Sequence, residues 1–377
     1  MIQRALQGHI EACFFKGKAI IIYGARQVGK TTLIRAIQDK LAETDSLYLN
    51  CDEPDLRSRL TEVTSTELKA LTGRKKIIFI DEAQRVKNIG ITLKLLIDNF
   101  PDRQVVATGS SSLDLSNEIV EPLTGRKYEF QLFPFSLAEL RQKYSLLEIK
   151  RLLETRMILG MYPEIEEKPD EAEVLLKALA SSYLYKDVLQ YQNLKRPELL
   201  EKLLIALALQ IGSEVSYNEL ANMLGVNKET IVNYILLLEK AFVIYRLSPF
   251  SRNLRNELAK LRKIYFYDTG IRNALINNFN PVQRRQDVGR LWENFMISER
   301  LKINSCRGNS VNTYFWRTHQ QQEIDYLEER NGVLSGFELK WKGGKKRAPK
   351  VFLSAYPGSR MEFVDRETYD QFVGLES

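Results

Sequence analysis

The chain has 377 residues, of which 44% are hydrophobic and 27% charged, and this balance is typical of a soluble globular protein. That length exceeds what one ordinary core accommodates, so we expect more than one domain. No apolar run approaches the ~20 residues that span a bilayer, and the first residues lack the apolar segment of a secretory signal. We therefore expect a cytoplasmic protein that makes no contact with a membrane.

Cysteine and charge patterns narrow the class of site. The three cysteines lie far apart without C-x-x-C spacing, and only two histidines are present, so neither a disulfide framework nor a histidine metal site is indicated. The formal net charge is +7, with six basic residues and no acidic one between Lys340 and Lys350 and a looser basic stretch from Arg252 to Lys263. Such clusters contact phosphate backbones in some proteins and are solvated surface in others.

The first motif in chain order is Gly-Ala-Arg-Gln-Val-Gly-Lys-Thr at residues 24–31, which fits G-x-x-x-x-G-K-[ST]. An apolar run at 19–23 predicts a buried strand before it, and the pattern at 32–37 predicts a helix after it. This context favours a phosphate-binding P-loop over a chance glycine-rich turn. The residues expected to hold ATP are Gly24, Ala25, Arg26, Gln27, Val28, Gly29, Lys30, Thr31 and Thr32.

Two side chains of this loop have distinct expected roles. Lys30 would reach the β- and γ-phosphates, and the Thr31 hydroxyl would be a ligand of Mg²⁺. The P-loop therefore predicts ATP and Mg²⁺ as cofactors.

A second apolar strand, at residues 76–80, ends in Asp81 and Glu82. This is the Walker B pattern, in which Asp81 would hold Mg²⁺ through water and Glu82 would orient the attacking water. Alternatively, the two acids cap the helix that starts near Ala83. The P-loop about fifty residues earlier favours hydrolysis.

Further strands are predicted at 46–50, 103–108 and 127–132, separated by helical stretches. This alternation predicts an α/β fold, with a parallel sheet, helices on both faces and the ligand at the carboxyl ends of the strands. We assign residues 1–134 to this P-loop core. Residues 135–195 are predicted to be all helical and to form a lid against the nucleotide site.

Residues 196–267 show three helix patterns followed by two strands. Ser216 and Asn227 are expected to cap the second and third helices, and Gly225 to turn between them. This order is typical of a winged-helix module, whose third helix would contact DNA. The expected exposed face of that helix is poor in positive charge, which favours a structural spacer instead.

Residues 268–377 contain a third group of charged residues. Asp325 is followed thirteen positions later by Glu338-Leu339-Lys340, and Glu293 lies on a preceding helix. An acid on one strand and E-x-K on the next is typical of metal-dependent phosphodiesterases of the PD-(D/E)xK type. Asp325 and Glu338 would hold Mg²⁺, Glu293 would complete the metal shell, and Lys340 would orient water. Alternating charges are also normal on a half-exposed strand.

Together these residues resemble the bacterial and archaeal AAA-type P-loop ATPases that carry a C-terminal domain of unknown function with a restriction-endonuclease-like core. The resemblance extends over nearly the whole chain. It is carried by residues 24–31, 77–84, 108–110, 125–126, 161–164, 267–270, 289–295, 323–325 and 337–340.

The resemblance implies two further site residues. AAA-type ATPases keep a residue that senses the γ-phosphate after the fourth strand, where this chain has Thr108 and Ser110 and no obvious asparagine. Arg126 precedes the fifth strand, the place of the arginine finger that acts in a neighbour's site. A homo-oligomer follows if Arg126 acts in trans. Alternatively, the hydroxyls cap a helix and Arg126 is a surface residue.

Three functional hypotheses follow. In the first, ATP hydrolysis moves the lid and the winged-helix arm and acts on DNA, RNA or a protein partner. In the second, the protein is an ATP-gated nuclease that uses Asp325, Glu338 and Lys340. In the third, it is a nucleotide-dependent switch that rarely turns over.

Overall fold

The computed structural model describes residues 2–41, 45–109, 122–181, 196–251, 262–318, 320–343 and 349–375. Apart from the first two residues, the chain divides into two compact units: Gln3–Pro134 with Lys240–Phe242, and Phe135–Glu239 with Val243–Ser377. The helix predicted over 183–190 and most of the helix predicted over 113–123 lie outside the described residues. Within the described residues, no helix is both long enough and apolar enough to cross a membrane.

The first unit is a parallel sheet with helices between its strands. Its elements are α1 (Leu6–Glu11), β1 (Ala19–Tyr23), α2 (Lys30–Gln38), β2 (Ser46–Asn50), α3 (Pro54–Leu60), α4 (Ser65–Thr72), β3 (Ile77–Asp81), a 3₁₀ turn (Ala83–Arg85), α5 (Ile89–Asn99), β4 (Gln104–Gly109) and β5 (Lys127–Gln131).

The strand order is β2-β3-β4-β1-β5, and every pairing is parallel. Strands β1, β3 and β4 are buried along their whole length. This explains their continuous runs of apolar residues, since helices cover both faces of such a sheet. The predicted parallel α/β sheet is confirmed, and its carboxyl edge brings the ends of β1, β3 and β4 together.

The second unit is mixed. Its helices before the sheet are α6 (Leu137–Leu140), α7 (Leu146–Arg151), α8 (Leu153–Leu159), α9 (Pro163–Glu167), a 3₁₀ turn (Pro169–Glu171), α10 (172–181) and α11 (Pro197–Leu209). Then come β6 (Glu214–Val215), α12 (Tyr217–Leu224), α13 (Lys228–Lys240), β7 (Ile244–Pro249), β8 (Arg262–Phe266), α14 (Thr269–Leu275) and a 3₁₀ turn (Val282–Arg284). The last elements are α15 (Val288–Cys306), β9 (Asn312–Arg317), β10 (Glu323–Arg330), β11 (Val333–Leu339), α16 (Lys350–Ala355), β12 (Arg360–Val364) and α17 (Tyr369–Phe372).

A seven-stranded sheet in the order β12-β11-β10-β9-β7-β8-β6 spans this unit. Strand β7 pairs with β8 antiparallel and with β9 in parallel, Ser248 lying opposite Tyr314. The strands predicted as a separate wing are therefore continuous with the C-terminal strands. The apolar run from Phe242 predicts a strand that starts at that residue, but β7 begins at Ile244, because Phe242 has a φ of 58° and turns the chain.

The helices predicted as a lid bury their apolar side chains within the second unit. Leu137, Leu153 and Met157 lie in the same hydrophobic core as Trp292 and Phe295 of α15. Two charged side chains of α15 also hydrogen-bond to the backbone before and at the start of α6. Glu299 accepts from the Leu137 N–H at 2.7 Å, and Lys302 donates to the Phe135 carbonyl at 2.8 Å.

Two short motifs of unassigned role, at 160–164 and 267–270, meet at the Asp268 carboxylate. It accepts from the N–H groups of Gly270 at 2.9 Å, Ile271 at 3.2 Å and Met161 at 2.8 Å. Gly160 has a φ of 71°, and a Cβ there would lie 1.9 Å from Asp268 Oδ1. Asp268 thus caps α14 and fixes the turn after α8, which requires glycine at 160.

We expect Gly160→Ala to lower the free energy of unfolding by about 3 kcal/mol or more, because it adds a clash to backbone strain. Gly225→Ala is the matched control, since Gly225 also has a positive φ but no atom within 4 Å of an added Cβ. It should cost only about 1–2 kcal/mol. Urea unfolding of both variants measures the difference, and equal losses would contradict the role of Asp268.

Candidate nucleotide site

The loop between β1 and α2 has the backbone that a P-loop requires. Gly29 has a φ of 94°, and a Cβ on Gly24 would lie 2.3 Å from the Leu132 carbonyl oxygen. Both positions therefore exclude larger side chains. The loop leads directly into α2, so that the N-terminal end of this helix faces the carboxyl edge of the sheet.

Lys30 is buried at the first position of α2, and its ammonium group donates to the carbonyls of Gly24 at 2.9 Å and Ala25 at 2.8 Å. The lysine therefore lies folded over its own loop. Its charged group is at the place where the loop's backbone would surround an anion.

The Asp81 carboxylate at the end of β3 is only 2% exposed and accepts from three hydroxyl groups. Thr31 donates to Oδ2 at 2.7 Å, Tyr48 donates to the same oxygen at 2.6 Å, and Thr108 donates to Oδ1. These donors come from α2, β2 and β4. The structure thus brings the predicted Thr31 and Asp81 into direct contact.

Glu82, the second acid, lies in the turn after β3 with a φ of 52°. Its N–H donates to the Thr108 hydroxyl at 3.1 Å, and its carboxylate accepts from the Gln84 amide. Thr108 therefore links the backbone of Glu82 to the carboxylate of Asp81. The Glu82 side chain makes no capping hydrogen bond to the 3₁₀ turn that follows it. Glu82 is half-buried and directly follows Asp81 in the chain.

Sequence reasoning missed Tyr48 and Arg4. Tyr48 lies on β2, and burial together with the Asp81 carboxylate raises the pKa of its hydroxyl, so it stays a donor. The guanidinium of Arg35 stacks on its ring, with the central carbon 3.3 Å from the ring centroid. Arg4 donates to the carbonyls of Val28 and Phe133, each at 2.6 Å. Neither residue belongs to a motif, so no local signal identified them.

Arg126 lies at the other edge of the sheet. The residue after it, Lys127, pairs with Ala19 at the amino end of β1, whereas the P-loop follows Tyr23 at the carboxyl end. At ~3.3 Å per residue this separation is about 13 Å along the strand. Arg126 is 46% exposed and pairs with Asp98 at 3.0 Å. The geometry keeps it away from its own P-loop, and Ser110 lies outside the described residues.

The second unit brings together the four charged residues predicted for a nuclease-like site. Lys340 lies 2.7 Å from Glu338 and 3.9 Å from Asp325, and Asp325 also accepts from the Leu339 N–H at 2.8 Å. Burial, partly offset by Lys263, raises the pKa of Glu293 to about 7. Two further members, Lys263 and Glu323, were missed by the sequence analysis.

Comparison with known proteins assigns the first unit and leaves the second without a named activity. Residues 16–141 match the family model described as an AAA domain. Residues 150–282 and 288–371 match models described as domains of unknown function, DUF8612 and DUF4143. None of these models names a winged helix or a nuclease, so both stay predictions.

Similar proteins occur in bacteria and archaea. An uncharacterized protein of Mycobacterium tuberculosis is 27% identical over 345 residues, which are 90% of this chain and 74% of that protein. An uncharacterized protein of Methanocaldococcus jannaschii is 26% identical over 388 residues, 96% of this chain and 84% of that protein. A Corynebacterium jeikeium protein described as an AAA ATPase forming ring-shaped complexes is 30% identical over 88 residues, 20% of this chain and 17% of that protein.

Among solved structures, the Walker-type ATPase of Pyrococcus abyssi superposes with a TM-score of 0.51 and 16% identity. The match covers 73% of this chain and 96% of that one. At this identity the likeness shows the fold. Together with the AAA domain match, it supports an AAA-type P-loop ATPase and confirms that part of the sequence analysis.

We expect Tyr48→Phe to raise the Mg²⁺ concentration for half-maximal ATP hydrolysis by roughly tenfold to a hundredfold, because a hydrogen bond to a charged group contributes about 1.5–3 kcal/mol and each ~1.4 kcal/mol is a factor of ten. The hydroxyl holds the Asp81 carboxylate in place, so ATP affinity in EDTA should not change. Tyr23→Phe is the matched control, since that hydroxyl donates to Glu129 at 2.6 Å instead. Identical Mg²⁺ curves for Tyr48→Phe and the parent would show that Tyr48 does not position Asp81.

Proposed function

We propose that the protein is a Mg²⁺-dependent ATPase of the AAA type. The observation that carries the proposal is the 2.7 Å contact between Thr31 of the P-loop and Asp81 at the end of β3. It joins the phosphate-binding loop to the acid expected to act on the metal. Lys30 and Glu82 lie next to these two residues in sequence, so that all four groups belong to the same edge of the sheet.

Lys30 would change partners when the nucleotide binds. Its ammonium group leaves the carbonyls of Gly24 and Ala25 and donates to the β- and γ-phosphates. Charge-assisted hydrogen bonds to phosphate are stronger than bonds to a neutral carbonyl. The exchange therefore favours the nucleotide complex, in which the two carbonyl oxygens would accept hydrogen bonds from water or from neutral donors.

The donor set at Asp81 fits a magnesium ion, because hydroxyl and carboxylate oxygens are the ligands that Mg²⁺ prefers. Thr31 and Asp81 would hold it, and the ion would neutralise charge on the phosphates. Glu82 would orient and polarise the attacking water, with its backbone fixed by Thr108. Burial of Asp81 excludes bulk water from this contact, which strengthens each electrostatic interaction.

We further propose that ATP hydrolysis moves the second unit, which acts on a partner. Helices α11 to α13 followed by antiparallel β7 and β8 have the order of a winged-helix module, which supports that assignment. On α13, Lys228, Glu229 and Asn233 are all exposed. The charges of Lys228 and Glu229 offset each other, and Asn233 is neutral. A helix that contacts DNA presents net positive charge. We therefore infer that the partner is a protein rather than a nucleic acid.

Arg126 is proposed to act in the site of a neighbouring copy. Its exposed pair with Asp98 stabilises the fold by no more than ~1 kcal/mol, so the guanidinium is available to a partner. The Corynebacterium jeikeium relative is described as forming ring-shaped complexes. That description supports an oligomer in which each Arg126 completes the next nucleotide site.

We expect Lys30→Ala to weaken ATP binding by at least about tenfold, because it removes a charge-assisted contact of ~1.5–3 kcal/mol. Glu82→Gln should keep ATP affinity while turnover falls roughly 10²–10⁴-fold, as for loss of a positioned base. Calorimetry and phosphate release measure the two effects. Lys16→Ala, at an exposed lysine before β1, is the control. Normal turnover in both variants would refute the ATPase.

The effect of partners is measured in the same assay with and without single- and double-stranded DNA and RNA. We expect the ATPase rate of the parent protein to be unchanged by nucleic acid if α13 faces a protein. Stimulation of severalfold or more would assign the second unit to nucleic acid instead.

Arg126→Ala should abolish turnover without loss of ATP binding if the residue acts in trans. Mixing Arg126→Ala with Glu82→Gln should then restore part of the rate, because an intact Glu82 site meets an intact Arg126. Asp98→Ala, which removes the ion-pair partner and keeps the arginine, should stay active. Full activity of Arg126→Ala alone would show that Arg126 is a surface residue.

A further inference from the structure

The charge cluster of the second unit is built around a lysine that no motif contains. Lys263 on β8 is only 2% exposed, and Glu293, Glu323, Asp325, Glu338 and Lys340 make up the rest of the cluster. Helix α15 supplies Glu293, β10 supplies Glu323 and Asp325, β11 supplies Glu338, and Lys340 directly follows β11. Carboxylates are the side chains that most often bind divalent cations such as Mg²⁺, and this cluster contains four of them.

The ammonium group of Lys263 lies among these carboxylates. It is 3.0 Å from Glu293 Oε1 and pairs with Glu323. The Tyr265 hydroxyl donates to the same Glu293 oxygen at 2.5 Å. The other Glu293 oxygen lies against Gly212, where an added Cβ would be 3.4 Å away. Both oxygens of Glu293 are thus enclosed by protein groups.

The lysine keeps its charge. Its ammonium group is paired with two carboxylates, those of Glu293 and Glu323, in a position almost closed to solvent. A buried ammonium ion held by several carboxylates is a permanent counterion for them. Removing it would leave uncompensated negative charge in a buried position, which is strongly destabilising.

The remaining carboxylates are also occupied. Asp325 accepts from the Leu339 N–H at 2.8 Å, and Glu338 pairs with Lys340 at 2.7 Å. Magnesium requires near-octahedral oxygen ligands at ~2.0–2.1 Å. Among the residues that the structure describes, no group of three or more acidic, cysteine or histidine side chains has the arrangement to hold a metal ion. The donor set therefore does not fit a metal while Lys263 is present.

We propose that the Lys263 ammonium group fills the cation position of this cluster, so that the C-terminal unit holds no divalent metal there and does not cleave phosphodiesters. The cluster then joins β8, α15 and β10 as a charged crosslink. This inference is independent of whether the first unit hydrolyses ATP.

The test is a Mn²⁺ titration of the full chain, followed by electron paramagnetic resonance, without nucleotide and with Asp81→Asn to remove the nucleotide-site metal. With Lys263 intact, adding Asp325→Asn should not change the amount of Mn²⁺ bound. In the same background, Lys263→Met should gain one Mn²⁺ per chain, because the stem is kept and the charge is removed. Adding Asp325→Asn to Lys263→Met should abolish that gain.

Lys340→Met is the matched control, since this lysine pairs with two other carboxylates of the cluster, Asp325 and Glu338, and its side chain is 55% exposed. It should gain no Mn²⁺, because Lys263 remains in place. Mn²⁺ bound by the Lys263-intact protein and lost with Asp325→Asn would overturn the proposal, and that comparison needs no Lys263 variant to fold. A folded Lys263→Met protein that gains no Mn²⁺ would also contradict it.

Discussion

The nucleotide site depends on one buried carboxylate that several hydroxyl groups share. Asp81 accepts from Thr31, Tyr48 and Thr108, which lie on α2, β2 and β4. A buried acid without donors would be strongly destabilising, whereas one with several donors is stable and fixed in orientation. The same contacts that satisfy Asp81 therefore set the distance between the P-loop and the end of β3. Stability and catalytic geometry have a common cause here.

In the second unit, too, buried charged groups have hydrogen-bond partners, and there the partners carry the opposite charge. Buried ions there are paired and hydrogen-bonded, as in Arg272 with Asp287 and Lys302 with Glu299, which lie 2.7 Å apart in the second case. Buried pairs of this kind add little net stability but penalise any packing that separates them. We interpret the Arg272–Asp287 pair, together with the bonds of Glu299 and Lys302 to the backbone before and at the start of α6, as contacts that fix α14 and α6 against α15. The Lys263 cluster is a further example and joins strands of the sheet to α15.

The P-loop and the Walker B strand could be predicted from sequence because each combines a local spacing with a local burial pattern. Tyr48 could not, since Ser46–Asn50 has the pattern of an ordinary half-buried strand and its hydroxyl acts only through the neighbouring strand β3. The parallel pairing of β7 with β9 was equally hidden, because register between distant strands leaves no local signal. Lys263 appeared in the sequence as one more basic residue in a charged stretch.

There is a physical reason why some of these residues could be predicted from the sequence and others could not. Motifs that contact a ligand through the backbone need fixed residue types at fixed spacing, and the chain records them directly. A group that acts through another side chain, such as Thr108 between Glu82 and Asp81, needs only to reach the right place in the fold. The charge cluster of the second unit shows the consequence. Its acids matched a catalytic pattern, while the lysine that decides their chemistry lies on β8, 62 residues before Asp325. Spacing predicts which groups can act together, and the fold decides which of them already have a partner.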